Sequence, residues 1–521
     1  MNANPFFDQV LELIRRTSTV LPQDVTSVMA LKQAREAKGS KADLALRLVL
    51  QNIGLAKDLS APICQDTGTI TFYIKTPIGF DQLTLEDICC EAVVEATKKG
   101  YLRQNSVDSI TGRNSGTNLG PGSPVFHWHQ HRGDTVEMKL ILKGGGCENM
   151  SAQYSLPTSI QGKRFDRDLE GVRGVVLDAI WQAQGKGCGP GFIGVCIGGD
   201  RAVGFEAAKE QLLRPVEDLS PHAELAALEA RLLEEANQLD IGPMGFGGKL
   251  TVGGVKVCAR NRLPASYFVT IAYMCWAYRR RGVVLNTKGE AVEWLYQALG
   301  EFTGKPTPLV EEETAQAIEL HLKNRKPLDL GGDETISLTT PLTEEAVRKL
   351  KAGDVVLLSG NVYTGRDEVH KYLFKGGELP VLQNGVIYHC GPVVLEEHGK
   401  YRVMAAGPTT SIREEPYQKE VIAKYGIKAV IGKGGMGPRT LEACAKHGCV
   451  YLHAIGGAAQ VYAQCVTDVT GVDLKEKFGS PEAVWHLVVK DLPAVVTMDS
   501  HGRSLHAEVA ESSKKELVEV L

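Results

Sequence analysis

The last third of the sequence alternates strand-like and helix-like patterns, and this regular order constrains the fold more than any other feature. Apolar strand patterns at Asp354–Leu358 and Lys428–Ile431 alternate with helical patterns at Arg413–Tyr425 and Pro438–Lys446. Strands that alternate with helices in this way predict a sheet covered by helices. We therefore expect an α/β domain over residues 334–521.

The preceding part of the chain has a different pattern. Helical patterns at Leu85–Lys98 and Ala223–Leu239 stand apart from two strand patterns at Val125–Gln130 and Thr135–Leu142, which flank a Gly-containing turn and are expected to pair as a hairpin. Segregated helices and strands predict an α+β fold. We therefore expect a larger N-terminal α+β domain over residues 1–326.

A polar stretch separates the two expected domains. Between Asn324 and Asp333 the sequence carries Pro327 and a Gly-Gly pair, and a new strand pattern begins at Glu334. Polar segments with proline and glycine are typical of linkers between domains.

Charge and hydropathy exclude several functions. The 521 residues carry a formal net charge of -4, with both signs mixed along the chain, so no nucleic-acid partner is expected. No apolar run approaches the ~20 residues that span a bilayer, and Asp8 and Glu12 lie where a signal peptide needs an uncharged core. These features predict a cytoplasmic protein with no membrane partner. Its 12 cysteines, without a C-x-x-C pair, are expected to be reduced thiols or metal ligands.

A glycine-rich loop follows one of the C-terminal strand patterns. Gly432, Gly434 and Gly437 form a G-x-G-x-x-G motif between a strand and a helix that begins at Pro438. A dinucleotide site also needs an acidic residue about 20 positions later, and none is present there. The same loop suits a carboxylate ligand, because Lys433 adds a positive charge to the N-terminus of the helix.

Cysteines and histidines supply candidate metal ligands. Cys64, Cys188 and Cys275 each interrupt a glycine-rich or apolar stretch, and Cys147, in Gly-Gly-Gly-Cys-Glu-Asn, is a rival ligand. Their separations match no compact zinc or ferredoxin motif, so spacing alone does not establish a metal site. The alternating histidines His127, His129 and His131 lie on one face of a strand pattern and are best interpreted as exposed or hydrogen-bonded side chains.

Three loops at expected strand ends carry cations beside hydroxyl groups. They contain Arg366, then Thr409 to Arg413, then Lys433. If they converge, they would bind a dicarboxylate, because ligands of α/β sheets bind at the carboxyl ends of strands. The alternative is local turn chemistry, with Thr410 or Ser411 capping the following helix.

Taken in order, seven motifs resemble those of the class I, iron–sulfur-dependent fumarate hydratases. They are Ile-Cys-Gln-Asp-Thr-Gly, Gly-Gly-Gly-Cys-Glu-Asn, Leu-Pro-Ala-Ser, Cys-Trp-Ala-Tyr-Arg-Arg, Asn-Val-Tyr-Thr-Gly-Arg-Asp, Gly-Pro-Thr-Thr-Ser-x-Arg and Ile-Gly-Lys-Gly-Gly-Met-Gly. The related L-tartrate dehydratases carry the two halves on separate subunits, whereas one chain holds both here. The resemblance therefore favours reversible dehydration of (S)-malate to fumarate, by a homodimer.

The resemblance implies a 4Fe-4S cluster held by Cys64, Cys188 and Cys275. The fourth iron would lack a protein ligand and act as a Lewis acid on the substrate. The implied substrate contacts are Gln65, Arg103, Gly145, Arg366, Thr410, Arg413 and Lys433, and the implied catalytic residues are Asp66 and Thr409. Asp66 would protonate the leaving hydroxide or hold it, and Thr409 would be the base.

One departure and several alternatives stay open. Family members often carry a histidine shortly before Leu-Pro-Ala-Ser, where this chain has Asn261 and Arg262. The chain could instead be a dehydratase of the same fold that acts on tartrate or on mesaconate. One contact in the pocket changes the preference between small dicarboxylates by only ~1–3 kcal/mol. A nicotinamide oxidoreductase using the Gly432 loop is a further alternative, as is a cluster-bearing binding or iron-sensing protein without turnover.

Overall fold

The computed structural model describes residues 4–297, 328, 330, 334–397 and 399–521. The expected linker between Asn324 and Asp333 therefore lies outside the described residues, apart from Leu328 and Leu330, which pack against the largest core cluster. Within the described ranges, none of the helices combines the length and apolar character that crossing a membrane requires. The chain mixes helices and sheets in both parts, as expected.

Residues 4–297 contain eight helices and eleven strands. The helices are α1 (Pro5–Thr19), α2 (Gln23–Gln33), α3 (Lys41–Asp58), α4 (Gln82–Lys98), α5 (Gly145–Glu148), α6 (Leu169–Ala183), α7 (Arg201–Gln211) and α8 (Ala223–Gln238). The strands are β1 (Thr69–Pro77), β2 (Val125–His131), β3 (Thr135–Lys143), β4 (Ala152–Ser155), β5 (Thr158–Ile160), β6 (Lys163–Phe165), β7 (Gly191–Gly198), β8 (Val252–Arg260), β9 (Phe268–Met274), β10 (Arg279–Asn286) and β11 (Ala291–Leu295).

Local sequence explains where the main helices begin. The side chains of Ser40, Asp81 and Asp168 each accept a backbone N–H in the first turn of α3, α4 and α6. Such caps satisfy N–H groups that have no partner within the helix and contribute about 1 kcal/mol each. The expected helices at Leu85–Lys98 and Ala223–Leu239 are confirmed as α4 and α8.

A five-stranded sheet has the order β11-β10-β3-β1-β2. β1 pairs in parallel with β2 and antiparallel with β3, so the expected hairpin of β2 with β3 is wrong: β1 lies between them. The reason is burial. β1 buries Ile70, Phe72 and Ile74 on one face and Thr71 and Tyr73 on the other, as a central strand does.

A four-stranded sheet has the order β4-β9-β7-β8. β7 is buried along its whole length and runs antiparallel to β9, with Phe192 opposite Met274. Cys188 precedes β7 and Cys275 directly follows β9. The pairing of these two strands therefore brings together cysteines that are 87 residues apart in the sequence.

Residues 334–521 form the second part. The helices are α9 (Glu344–Lys349), α10 (Asp367–Phe374), α11 (Glu415–Tyr425), α12 (Pro438–His447), α13 (Ala459–Cys465), α14 (Lys475–Phe478) and α15 (Leu505–Val520). The strands are β12 (Thr335–Thr339), β13 (Val355–Thr364), β14 (Val386–Tyr388), β15 (Val393–Glu397), β16 (Lys400–Ala405), β17 (Ala429–Gly432), β18 (Val450–His453), β19 (Val466–Asp473) and β20 (Val484–Met498).

The main sheet of this part has the order β12-β13-β14-β17-β18-β20-β19. Its first five strands are parallel, which confirms the α/β expectation, and the long strand β20 is antiparallel to both β18 and β13. Because β20 pairs with both, the sheet closes on itself. The last helix, α15, contacts β20 and also packs against α6 and α8 of the first part, where Leu517 and Leu521 lie in the core.

Candidate active site

Three segments of the N-terminal part meet at one edge of the five-stranded sheet. β1 begins at Thr69 opposite Lys143, where β3 ends, and β10 begins at Arg279 opposite Leu142. Residues 64–68 directly precede β1, residues 144–147 directly follow β3, and residues 275–278 directly precede β10. These three segments therefore lie side by side. Strand register thus brings three of the four candidate cysteines together.

Cys188 joins this group through its backbone and its thiol. It has a left-handed conformation, with φ of 54°, and its carbonyl accepts a bond from Trp276 N at 3.4 Å. From the C-terminal part, Lys433 Nζ donates to Cys188 Sγ at 2.7 Å. A Cβ on Gly456 would lie 2.4 Å from the same sulfur, so only glycine allows this approach.

The four thiols are buried and interact electrostatically. Burial raises the pKa of Cys188 to about 11, against the opposing charge of Lys433. A hydrogen bond with Cys275 lowers the pKa of Cys147 to about 7 and raises that of Cys275 well above its ordinary value. Burial likewise raises the pKa of Cys64. All four thiols are close enough to affect one another's ionisation.

The set of donors in this pocket is suited to iron and sulfur. In the part of the chain that the structure describes, no three His, Cys, Asp or Glu side chains are grouped to hold a single metal ion. The donors here are buried thiols, which are the usual ligands of iron–sulfur clusters. The residues present therefore have the ligand chemistry that such a cluster uses.

Asp66 is a carboxylate at the rim of the thiol pocket. Its Oδ2 accepts a hydrogen bond from Gly146 N at 3.3 Å, and its Oδ1 lies 3.6 Å from Arg103 Nη2. Burial disfavours its charged form, but the charges of Arg103 and Lys433 outweigh burial and lower the pKa of Asp66 to about 2. Asp66 is therefore ionised at neutral pH.

Groups from both parts of the chain surround Gly146. A Cβ at this glycine would lie 3.5 Å from both Lys433 Nζ and Thr410 Oγ1, and 4.0 Å from Asp66 Oδ2. The adjacent Gly145 is exposed. The structure therefore brings an ionised carboxylate, a hydroxyl group and an ammonium group around one exposed glycine turn.

Gln65 fixes the first cysteine segment to the C-terminal part. Its Nε2 donates to Pro408 O at 3.1 Å, and it is only 2% exposed. A Cβ on Gly407 would lie 2.2 Å from Gln65 Oε1. The close approach of the two segments therefore depends on glycine at this position.

Arg103 and Arg366 meet at Gly391. Arg103 Nη1 donates to Gly391 O at 2.8 Å, and a Cβ on Gly391 would lie 2.5 Å from Arg366 Nη1. Arg366 Nη1 also lies 3.1 Å from Glu482 Oε1. Burial and the nearby charge of Arg366 lower the pKa of Arg103 to about 10, so both arginines stay charged at neutral pH.

Backbone bonds join two of the three C-terminal loops, and an ion pair joins the loop of Arg366 to them. Lys433 N donates to Thr409 O at 3.2 Å, Ser411 N donates to Lys433 O at 3.0 Å, and Thr409 N donates to His389 O at 2.6 Å. Arg413 lies at the exposed end of this group, where its Nη2 is 3.2 Å from Asp367 Oδ2. The expected convergence of the loops is therefore present in the structure.

The expected helix cap in this region is wrong. The side chain of Thr410 makes no capping bond, and Ser411 Oγ is instead 2.7 Å from His389 Nδ1 and accepts from Tyr451 Oη at 2.8 Å. Sequence reasoning predicted a cap because both hydroxyls precede a helix. His389 follows another strand, and its imidazole is buried. The Ser411 hydroxyl interacts with this imidazole instead of with a backbone N–H of the helix.

The glycine-rich loop after β17 does not present a free helix terminus. The carboxylate of Glu415 accepts hydrogen bonds from Gly437 N at 2.8 Å and Arg439 N at 2.9 Å. Cβ atoms on Gly434 and Gly435 would meet Lys186 and His506. These glycines serve close packing, and Glu415 fills the place that a dinucleotide phosphate needs.

The alternating histidines make polar contacts, as interpreted from the sequence. His127 Nδ1 lies 3.0 Å from Glu206 Oε1, and His131 Nε2 lies 2.7 Å from Thr135 O. His129 Nε2 is 3.9 Å from a carboxylate oxygen of Glu210. At the departure from the family pattern, Asn261 and Arg262 are both exposed, and Arg262 bonds to carbonyls of its own loop.

Sequence reasoning missed a buried carboxyl group next to the C-terminal loop that contains Arg413. Glu414 is fully buried, and both of its carboxyl oxygens lack a hydrogen-bond partner among the described residues. Burial and the nearby charge of Asp367 raise its pKa well above the ordinary value, although Arg413 and Arg366 oppose this. Only its position directly after Arg413 could have drawn attention to it.

We expect Glu414→Gln to stabilise the apoprotein at alkaline pH. The folded state keeps a proton that the unfolded chain releases above its ordinary pKa, so wild-type stability falls as pH rises from about 4.5 towards the raised folded value. The neutral amide removes this pH-dependent loss, so the variant should unfold at a higher temperature than wild type at pH 8, and the difference should be smaller at pH 5. Thermal unfolding at pH 5 and pH 8 measures the difference.

Glu415→Gln is the matched control for Glu414→Gln. Glu415 caps α12, so its amide variant should lose stability at both pH values. Equal unfolding temperatures for Glu414→Gln and wild type at both pH values would show that Glu414 is not held protonated.

Comparison with known proteins gives matches along nearly the whole chain. A family described as fumarate hydratase (fumerase) matches residues 7–284, and one described as fumarase C-terminus matches residues 305–509. A protein of Geobacillus stearothermophilus provisionally named fumarate hydratase class I is 52% identical over 515 residues, covering 98% of both chains.

Two further relatives each match one half. The L(+)-tartrate dehydratase subunit alpha of Escherichia coli strain K12 is 33% identical over 286 residues, which are 54% of this chain and 91% of the subunit. A Methanocaldococcus jannaschii protein provisionally named L(+)-tartrate dehydratase subunit beta is 40% identical over 186 residues, which are 34% of this chain and 95% of the subunit. The chain therefore belongs to the class I fumarate hydratase family and is a hydro-lyase.

Proposed function

We propose that this hydro-lyase interconverts (S)-malate and fumarate in the cleft between its two parts, with a 4Fe-4S cluster held by Cys64, Cys188 and Cys275. The observation that carries the proposal is the contact of Lys433 Nζ with Cys188 Sγ at 2.7 Å. It joins a cationic loop of one part to a thiol pocket of the other. Asp66 lies beside the same lysine.

The cluster would occupy the pocket of buried thiols. When bound, it would supply Lewis acidity, which weakens the carbon–oxygen bond of an alcohol. Cys147 lies in the same pocket, close enough to Cys275 for each thiol to shift the pKa of the other. We assign the three ligands by their motifs, and the variants described in the Discussion separate them from Cys147.

Asp66 has the protonation state of a hydrogen-bond acceptor. A carboxyl group with a pKa of about 2 carries no proton at neutral pH, so it is suited to accept a hydrogen bond. It can accept a hydrogen bond from the hydroxyl group of malate and hold it in position. Of the two roles implied by the family resemblance, the structure supports holding the hydroxyl.

Removal of the proton next to a carboxylate builds negative charge, which fixed cations stabilise. Arg103, Arg366 and Lys433 are cations held by contacts from both parts of the chain. We assign Arg413, which is more exposed and pairs with Asp367, to the distal carboxylate, because a planar guanidinium can donate two hydrogen bonds to a carboxylate. Gln65, Gly145 and Thr410 would complete the contacts to the substrate.

Thr409 is the proposed base. It is buried and its backbone is held by Lys433 and His389. An ordinary threonine hydroxyl is far too weak a base, so nearby positive charge must favour its deprotonated form. The position of Lys433 next to this backbone is consistent with that requirement.

The remaining assignments are also proposals. Residues 1–326 would form the cluster-binding catalytic domain and residues 334–521 the substrate-binding domain, with the enzyme acting as a cytoplasmic homodimer in the tricarboxylic acid cycle. The contacts of Gln65 with Pro408 and of Lys433 with Cys188 support a site between the two domains.

The deciding experiment is anaerobic purification followed by iron and sulfide analysis and an absorbance assay on malate, tartrate and mesaconate. We expect iron and sulfide in the ratio of a 4Fe-4S cluster and the highest kcat/KM with malate. A higher value with tartrate would favour the function for which the half-chain relatives are named. An intact cluster without turnover, or a bound nicotinamide, would contradict the proposal.

Oxygen should inactivate the enzyme reversibly. A cluster with one iron that lacks a protein ligand is expected to lose that iron on oxidation, so activity should fall in air and return with ferrous iron and a reductant. Activity and iron content are measured together through both steps, with an anaerobic sample under the same chelator as the control. Full activity after prolonged aerobic chelation would contradict the mechanism.

A further inference from the structure

Strand β10 begins with three consecutive arginines that are almost completely buried. Arg279 and Arg281 are each 1% exposed, and Arg280 is 0% exposed. A buried cation is costly unless other groups compensate its charge and satisfy its donors. Each of these side chains therefore needs a structural reason for its position.

Arg280 has an ordinary compensation. Its Nη2 forms an ion pair with Asp24, and its guanidinium lies over the rings of Tyr278 and Tyr296, at 4.2 Å and 4.9 Å from their centroids. These contacts connect α2 to the sheet. They involve none of the candidate site residues.

Arg279 makes different contacts. Its Nη2 donates to the backbone carbonyl of Asp66 at 2.6 Å, and its Nη1 donates to the carbonyl of Cys64 at 3.3 Å. Within the described ranges it forms no ion pair with a carboxylate, and its Nε has no partner. A buried cation is thus used to hold two peptide groups of one short segment.

These two bonds connect two parts of the thiol pocket. Arg279 lies four residues after Cys275, at the first position of β10, and its side chain reaches the segment that contains Cys64 and Asp66. A planar guanidinium can donate two bonds in fixed directions, whereas a lysine ammonium on its flexible stem cannot reproduce that fork. Loss of the fork would free the Cys64–Asp66 segment to move.

We propose that Arg279 is a positioning residue for the dehydration reaction. Its side chain orients Cys64 towards the cluster and Asp66 towards the substrate. This inference rests on the proposed function of both residues. Groups that orient metal ligands in this way typically affect metal affinity or activity by about 10- to 100-fold. The effect should appear in iron retention as well as in turnover.

The test compares Arg279→Gln and Arg279→Lys with Arg280→Gln, a substitution of an equally buried neighbour. Each variant is reconstituted anaerobically, and three quantities are measured: the unfolding temperature of the apoprotein, the rate of iron release to a chelator, and kcat and KM for malate. We expect both glutamine variants to lose thermal stability. Of these two glutamine variants, only Arg279→Gln should release iron about 10- to 100-fold faster than wild type. Its kcat should fall by a similar factor, and its KM should change less.

Arg279→Lys keeps the positive charge but has a single donor nitrogen. It therefore tests the need for the two guanidinium hydrogen bonds even if Arg279→Gln fails to fold. Faster iron release than wild type from Arg279→Lys supports the proposal, and wild-type iron release and kcat overturn it. Equal iron release from Arg279→Gln and Arg280→Gln also overturns it. Cys64→Ser distinguishes failure of the proposed function from failure of the proposal for Arg279. If Cys64→Ser keeps its iron and activity, the proposed function is wrong. If it loses both, the results for the Arg279 variants test only the role of Arg279.

Discussion

A Cys188→Ser enzyme is expected to lose its iron and its fumarate-forming activity together, with turnover falling by more than about 1,000-fold. Cys188 lies between the two parts of the chain, bonded through its thiol to Lys433 and through its carbonyl to Trp276. A serine hydroxyl is a poor substitute for a thiolate ligand. Iron and sulfide analysis after anaerobic reconstitution, followed by the malate assay, measures both losses.

Two other cysteine variants complete this experiment. Cys89→Ser changes an equally buried thiol in α4, outside the pocket, and should keep iron and activity. Cys147→Ser should keep its iron, because Cys147 is assigned as a hydrogen-bonding neighbour of Cys275. Iron retained by Cys188→Ser but lost by Cys147→Ser would show that the ligand assignment is wrong.

Lys433→Met should lower kcat by roughly 100- to 1,000-fold while changing KM much less. The ammonium group, the Thr410 hydroxyl and the Asp66 carboxylate all lie close to Gly146. The proposed mechanism builds negative charge there as the proton leaves, and removal of one stabilising group has effects of this size. The nearby thiols Cys188 and Cys64 raise the pKa of Lys433 despite its burial, so it stays charged. Steady-state kinetics on malate, normalised to cluster content, measures the effect.

Two lysine or arginine substitutions provide the comparison for Lys433→Met. Lys428 precedes the same strand, β17, and its ammonium group pairs with Glu344. Lys428→Met should therefore leave turnover unchanged. Arg413→Lys keeps its charge but loses the planar fork, so it should weaken binding by roughly 2–4 kcal/mol and act mainly on KM. A near-normal kcat in Lys433→Met together with a near-normal KM in Arg413→Lys would remove the C-terminal loops from the active site.

The alternation of strands and helices after Glu334 was readable because each element contains its own signal. Pro438 begins α12, and the apolar segment before Gly432 forms β17, as expected. The hairpin of β2 and β3 failed because its two strands are neighbours in sequence but not in the sheet. Which strand takes the central position depends on burial of both faces of β1, a property of the whole sheet.

Motifs identified the side chains of the candidate site, but not all of their contacts. The resemblance named Cys64, Asp66 and Lys433, and the structure places Asp66 and Lys433 around Gly146. It named neither Arg279 nor Glu414. Both lie next to residues with strong motif signals, yet their partners are backbone groups or charges from distant segments, which a local pattern cannot contain.

The chemical groups of the candidate site can be read from the amino-acid sequence: its thiols, its carboxylate, its cations, and the glycines that let the backbone approach them. Their arrangement in space follows from the fold. The register of β1, β3 and β10 aligns the segments that contain Cys64, Cys147 and Cys275, and the pairing of β7 with β9 adds Cys188. The physical reason is that hydrogen bonds between strands join residues that are distant along the chain, so the site depends on register, which no single motif encodes.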